Sequence, residues 1–268
     1  MTEGVSGAAH DTYGGGIYLH GSSYDGITHN QVQDTAGAGI NLSDFSTSGT
    51  LTQNLNDTIE ANKVLNADLT STDSGAVYIL GRSNAATCTL VRMNFIDGTG
   101  PASQHSVGIY LDDNTNDVSI EANIVRNVGS DAVQIHGGSN DHITGNVLDL
   151  GTGHPSALLF QAPPADQPNP SPLQGNSVTG DIILTESAAP GSFYVSLDGG
   201  TPTIANNDYW GPAGAGLNPS PDASRSTVDP AFASPSAGDY RMAGGAGIGF
   251  VPIDQTQIGV APAGPHPY

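Results

Sequence analysis

This 268-residue chain has little positive charge: one lysine, Lys63, and 6 Lys plus Arg in all, against 26 Asp plus Glu. A formal charge of −20 excludes a nucleic-acid surface, which needs basic side chains to meet phosphates. It equally excludes docking on an anionic membrane. With a single lysine, long helices laced with Glu–Lys pairs are excluded as well. The lone cysteine, Cys88, forms no intrachain disulfide and leaves no cysteine-ligated zinc site; it is expected in the shell of the core. No run approaches the roughly 18 consecutive apolar residues of a membrane-spanning helix. Met1 to Gly15 lacks the basic region and apolar stretch of a signal peptide. Glycine (36) and proline (18) are abundant, yet a hydrophobic content of 37% supports a packed core in one large domain.

What the chain does have is internal repetition. Gly16–Leu19, Gly39–Leu42, Ala76–Ile79, Gly108–Leu111, Ala132–Ile135 and Ala157–Phe160 all read small, apolar, variable, apolar. That is a strand of period 2 whose second and fourth residues point inward. The expected interior is therefore Ile17, Leu19, Ile40, Leu42, Val77, Ile79, Ile109, Leu111, Val133, Ile135, Leu158 and Phe160. A second pattern, aliphatic-x-x-Asn, ends at Asn30, Asn62, Asn94, Asn123, Asn146, Asn176 and Asn207, with spacings of 32, 32, 29, 23, 30 and 31. Spacings of this size indicate a solenoid with one coil per repeat. Short segments rich in Val, Ile, Tyr and Thr, punctuated by Gly, Asn, Asp and Ser, make the coil β rather than α. The fold expected is all-β, a right-handed parallel β-helix of about seven coils, roughly 30–35 Å long at ~4.8 Å per coil. The asparagines read as scaffold: they tolerate the left-handed conformation of a tight corner and can bond to one another along the stack.

The β-helix is expected over residues 1–212 and an irregular Pro/Gly/Ala-rich wrap over 213–268, closing the last coil. Coil one begins almost at once, which suggests an upstream domain or an oligomeric partner over its edge. Long loops, where binding residues concentrate, fall at Asp44–Asp57, Gly98–Ser106, Gln161–Pro172 and Glu186–Ser192.

Alternation places Tyr18, Asn41, Tyr78, Tyr110, Gln134 and Leu159 in one outward column of the first sheet. His20, Ser43, Leu80, Asp112, His136 and Gln161 form the next, followed by Gly21, Asp44, Gly81, Asp113 and Gly137. Tyrosines flanked by hydrogen-bonding groups suit a carbohydrate, with its apolar and hydroxyl faces. The bland reading of the same tyrosines is β-propensity and stacking. Asp112-Asp113 ends a strand beside His136, where adjacent carboxylates can divide into acid and base; alternatively it is simply turn chemistry. Asp44 lies two coils away, roughly 10 Å, near the upper carboxylate separation of an inverting glycosidase, with Gly81 leaving room between. Asp73 sits at the far end of its strand, an awkward distance from Asp112. The histidines have no zinc-type spacing. Among metals, an Asp- and Asn-rich surface suits Ca²⁺, although no spacing specifies a site.

Asp73-Ser74-Gly75-Ala76-Val77-Tyr78-Ile79-Leu80-Gly81-Arg82, Gly108–Asp113 and Ile135–Asp141 resemble motifs of the pectate-lyase-like superfamily. Their order is similar to that in β-helix glycoside hydrolases of the fucosidase and xylanase type. The tail is similar too, in Asp208-Tyr209-Trp210-Gly211-Pro212 and Asp229-Pro230-Ala231-Phe232. This resemblance implies a carboxylate pair at Asp73 and at Asp112 or Asp113. Family members commonly carry Arg where this chain has Ser139.

The expected activity is hydrolysis of glycosidic bonds in a polysaccharide or oligosaccharide, in an extracellular or cell-surface setting. The candidate catalytic residues are Asp113, Asp112, Asp73 and Asp44. Arg82, His136, His20, Gln134, Tyr18, Tyr78 and Tyr110 are the candidates for binding substrate. The alternatives are a non-catalytic binding or structural module of a larger surface protein and, third, a polysaccharide lyase or epimerase. The last is disfavoured because Lys63 lies off the tyrosine face and the net charge repels a polyuronate.

Overall fold

The computed structural model describes residues 15–43, 54–81, 86–152, 156–163, 171–187, 195–196, 200–212, 222–243 and 247–260. Asp44 and Arg82 lie outside these residues. The described chain builds three seven-stranded sheets, in all of which the strands pair in parallel. The first contains Ile17–His20, Ile40–Ser43, Ser74–Leu80, Ser106–Asp112, Val133–His136, Leu158–Gln161 and Val195–Ser196. The chain passes from each of these to a strand of the second sheet, then of the third, and returns to stack beside its starting strand. This is a solenoid of the parallel β-helix type.

Register stacks like on like. Ile17 pairs with Ile40, Ile40 with Val77, Val77 with Ile109, Ile109 with Val133 and Val133 with Leu158. All twelve expected interior residues join one hydrophobic core, Ile17 and Leu19 being only partly buried. The second sheet adds Ile27, Ile59, Val91, Ile120, Ile143 and Val178, and the third adds Val32, Val64, Ile96, Val125, Leu148 and Ile183. Burying each such side chain contributes about 1.5–3 kcal/mol, and each column keeps one shape so that successive layers nest. Cys88 is not in the shell of the core: it is exposed, in a left-handed turn residue (φ 50°).

Between the second and third sheets runs a buried amide ladder. Asn30 donates through Nδ2 to Asn62 Oδ1 (3.0 Å), Asn62 to Asn94 (3.0 Å), Asn94 to Asn123 (2.9 Å) and Asn123 to Asn146 (3.0 Å). The backbone N–H of each donor residue points to the same oxygen. Two expectations are corrected here. The next rung is Asp181, which accepts from Asn146 Nδ2 at 2.8 Å. Asn176 instead stands before its second-sheet strand and accepts from the Asp141 N–H (2.9 Å). The left-handed corner residue is also not the asparagine but its predecessor: His29, Ala61, Met93, Ala122, Gly145, Gly180 and Asn206 have positive φ. The asparagine is required for its amide, which satisfies buried backbone groups on neighbouring circuits.

The C-terminal segment does more than close the last circuit. Asp222 ends the ladder by accepting from Asn207 Nδ2 (3.0 Å), and Ser226 bonds to the Asn207 carbonyl (2.8 Å). The chain then runs back along the outer face of the third sheet. Tyr240, Phe250 and Ile253 bury Phe95, Ile124, Val147, Ile182 and Leu184 in a second apolar cluster. Tyr240 OH donates to Asp149 (2.5 Å), Arg126 clamps the Pro235 carbonyl (2.7 Å), and the Gly259 N–H reaches the Ala61 carbonyl (2.7 Å).

Asp181 gives the ladder a pH dependence. Burial raises its carboxyl from 3.8 to about 7, against the hydrogen bonds from Asn146 and Thr179 that favour ionisation. The folded state thus holds a proton that the unfolded chain has released, and the stability this gives is lost as pH climbs from about 4 to about 7. Asp181→Asn removes that loss and supplies an amide N–H to the ladder. Its melting temperature should exceed that of the wild type at pH 8, with the gap closing at pH 4. A variant that melts at or below the wild type at pH 8 would contradict this account.

Candidate active site

The first sheet aligns Tyr18, Asn41, Tyr78, Tyr110, Gln134 and Leu159 in one column, as the alternation predicts. Their exposure is not as expected. Tyr18 is 36% exposed, but Tyr78 (3%), Tyr110 (1%) and Gln134 (0%) are buried. The rings of Tyr78 and Tyr110 meet edge to face at 5.3 Å, and His105 leans on Tyr110 at 5.6 Å. Ala38, Leu80 and Val107 complete that cluster. Tyr78 and Tyr110 therefore present hydroxyls, not ring faces, to the site.

Those hydroxyls organise the carboxylates. Tyr78 OH donates to Asp112 Oδ2 (2.6 Å). Asp112 Oδ1 accepts from His136 Nδ1 (2.8 Å) and from the Asp113 N–H (2.8 Å). Tyr110 OH donates to Asp73 Oδ1 (3.2 Å), and its oxygen lies 3.5 Å from His136 Nδ1. Asp73 Oδ1 also accepts from His105 Nδ1 (3.0 Å), while His105 Nε2 faces Gln134 Oε1 (2.7 Å). Asp73 and Asp112, which looked too far apart to cooperate, are thus joined through Tyr110 and His136. A buried phenol spans the gap that an extended strand leaves between them.

Backbone geometry fixes the acids. Asp73 (φ 72°) and Asp113 (φ 46°) are left-handed turn residues at opposite ends of the strand columns. The side chain of Asp73 stays about half exposed (49%) beside His105 (38%), whereas Asp112 (7%) lies behind His136 (15%). Gly81 leaves no room for a sugar, because a Cβ there would come within 2.6 Å of Thr115 Cα; the turn after Asp113 fills that space. Tyr18 and His20 pair with each other at the end of the columns, Tyr18 OH lying 3.3 Å from His20 Nδ1.

The electrostatics separate these groups. Burial favours protonation of Asp73, but hydrogen bonding and charge from His105, with Tyr110 and His136, hold its carboxyl below the usual value. His105 is pushed up chiefly by its hydrogen bond to Asp73, against burial. For His136, burial lowers the affinity for a proton, and the Asp112 hydrogen bond with the charges of Asp112, Asp113 and Asp73 outweighs it, so the ring is pushed up. Burial, followed by the nearby carboxylates, drives both phenols well above 10. They remain donors at every working pH.

Asp112, Asp113 and His136 each offer a ligand atom, all within 4.8 Å of one another. An imidazole ligand suits a transition ion better than Ca²⁺, which takes oxygen ligands. An ion there would displace the proton that His136 shares with Asp112.

His105 is the residue of the cluster that sequence reasoning missed, although a signal existed. Aligning Ser74 with Ser106, which do pair, sets His105 beside Asp73. No family model, curated protein or solved structure matches the chain. Fold and geometry alone define its class: a parallel β-solenoid bearing a histidine–carboxylate cluster on its first sheet.

Tyr78→Phe keeps the ring and removes the hydroxyl that donates to Asp112 Oδ2 at 2.6 Å. Taking this donor from the buried oxygen should cost about 1–3 kcal/mol, read from urea unfolding at pH 7. An unchanged midpoint would mean that the hydrogen bond contributes nothing net.

Proposed function

We propose that the protein hydrolyses glycosidic bonds of a neutral polysaccharide or oligosaccharide by acid/base catalysis on the first sheet. The observation that carries this reading is the split between two linked groups: Asp73 biased to stay ionised and His136 biased to stay protonated, with one phenol between them. Environments that push paired titratable groups apart assign the acid and the base. His136, oriented through Nδ1 by Asp112, donates its Nε2 proton to the departing glycosidic oxygen. Asp73, through its half-exposed carboxylate, takes a proton from the water that attacks the anomeric carbon. One C–O bond forms, one breaks, and the proton that Asp73 gains balances the one that His136 loses.

The same proposal takes the rod to be a right-handed parallel β-helix of seven coils, in keeping with three seven-stranded sheets and the usual hand of parallel crossovers. It takes the protein to act outside the cell or on its surface, where such polymers occur.

Reducing ends released from a panel of neutral polysaccharides test the reaction. Asp73→Asn and His136→Gln should each lower kcat/KM by about 10²–10⁴-fold with the circular dichroism spectrum unchanged. Wild-type activity in both variants removes this mechanism. An ultraviolet-absorbing unsaturated uronate product would assign an eliminating lyase instead, and glycan binding without turnover would assign a binding module. For hydrolysis, kcat/KM should rise with an acid limb below pH 3.8, as Asp73 ionises, and fall with a basic limb above pH 6.5, as His136 loses its proton.

A further inference from the structure

Both ring nitrogens of His105 face acceptors. Nδ1 lies 3.0 Å from Asp73 Oδ1 and Nε2 lies 2.7 Å from Gln134 Oε1. A carboxylate and an amide oxygen can only accept, so with the amides in this orientation both nitrogens carry hydrogen, which only the imidazolium does. The choice of amide atom at Gln134 is set by the network. Gln134 is fully buried, and its Nε2 donates to Gln161 Oε1 at 3.2 Å. Reversing the Gln134 amide alone would place NH₂ against His105 and oxygen against oxygen at Gln161; a neutral His105 needs both amides reversed together. The ring itself is pinned, by a left-handed backbone (φ 53°) that ends the short turn Ala102–Gln104 and by its contact with Tyr110.

We propose that His105 is held as a cation by the Gln161–Gln134 relay and is the positioning residue that keeps Asp73 ionised and aimed. This rests on the hydrolytic reading given above. His105 and Tyr110 both occupy Asp73 Oδ1, which turns the other oxygen, Oδ2, towards solvent as the proton acceptor. His105 does not itself meet the substrate in this scheme. Among the described residues, Asp131 and Tyr110 also face His105, and Tyr110, His136, Tyr78 and Asp68 face Asp73.

The decisive experiment has two arms. In the first, ¹⁵N-edited NMR of the imidazoles of the full chain is recorded without substrate. At pH 7 both His105 nitrogens should give the shifts of a protonated ring. Gln161→Leu, at the half-buried end of the relay, should move the His105 titration to lower pH. A neutral His105 tautomer at pH 7, or a titration unmoved by both Gln161→Leu and Gln134→Leu, overturns the proposal. In the second arm, His105→Ala should shift the acid limb of kcat/KM to higher pH while leaving the basic limb, set by His136, in place. An acid limb that stays where it was in His105→Ala overturns the positioning role. The arms separate the two claims: an imidazolium at His105 in a protein that cleaves no glycan leaves the relay standing and removes the hydrolase.

Discussion

The register between successive circuits is the constraint from which the rest follows. Each asparagine-donated rung of the amide ladder fixes one circuit against the next through a side-chain and a backbone hydrogen bond on a single oxygen. A slip of one residue would turn the aliphatic columns outward and the polar columns inward. It would also break the site, whose partners come from different circuits: Asp73 with His105, Tyr78 with Asp112, Asp112 with His136. The geometry of the cluster is thus a by-product of stacking, held to the precision of the core.

The cluster combines burial with compensation. Two phenols and the two acids Asp112 and Asp113 lie almost wholly out of water, a costly arrangement for polar groups without partners. Here each phenol donates a hydrogen bond to a carboxylate, Tyr78 to Asp112 and Tyr110 to Asp73, and each of these two carboxylates also meets an imidazole. Buried networks of this kind are stiff when fully satisfied. Among the described residues of the cluster, the outer edge at Asp73 and His105 is the part that opens most to solvent.

Much of the fold was legible because its repeat is short and its interior aliphatic. Gly-Ile-Tyr-Leu recurring beside aliphatic-x-x-Asn specifies strand, inward face and register, and the core residues follow from those three. The burial of Tyr78 and Tyr110 was not legible, since alternation tells which side a ring takes and not what lies over it. Asn176 misled because Leu173-x-x-Asn176 reproduces the pattern after an insertion has shifted the phase. The ladder takes Asp181 there because a carboxylate oxygen accepts as well as an amide oxygen. His105 stayed hidden because it lies three residues before its Gly108–Leu111 motif, one residue ahead of the strand that the motif belongs to. Asp73 and Asp112, by contrast, were named from sequence, and the phenol that unites them was the missing piece.

The C-terminal segment changes what kind of solid the rod is. Solenoids ordinarily behave as one-dimensional stacks whose ends fray independently, each repeat answering only to its neighbours. Here one strand of chain leaves the last circuit, lies along the third sheet and ends its described course on Ala61, near the opposite end. It acts as a tie-rod down the side of the stack. Peeling the final circuit away would first have to lift Tyr240, Phe250 and Ile253 off the circuits beneath them. The rod is thereby converted from a zipper that opens from its tip into a body that yields all at once.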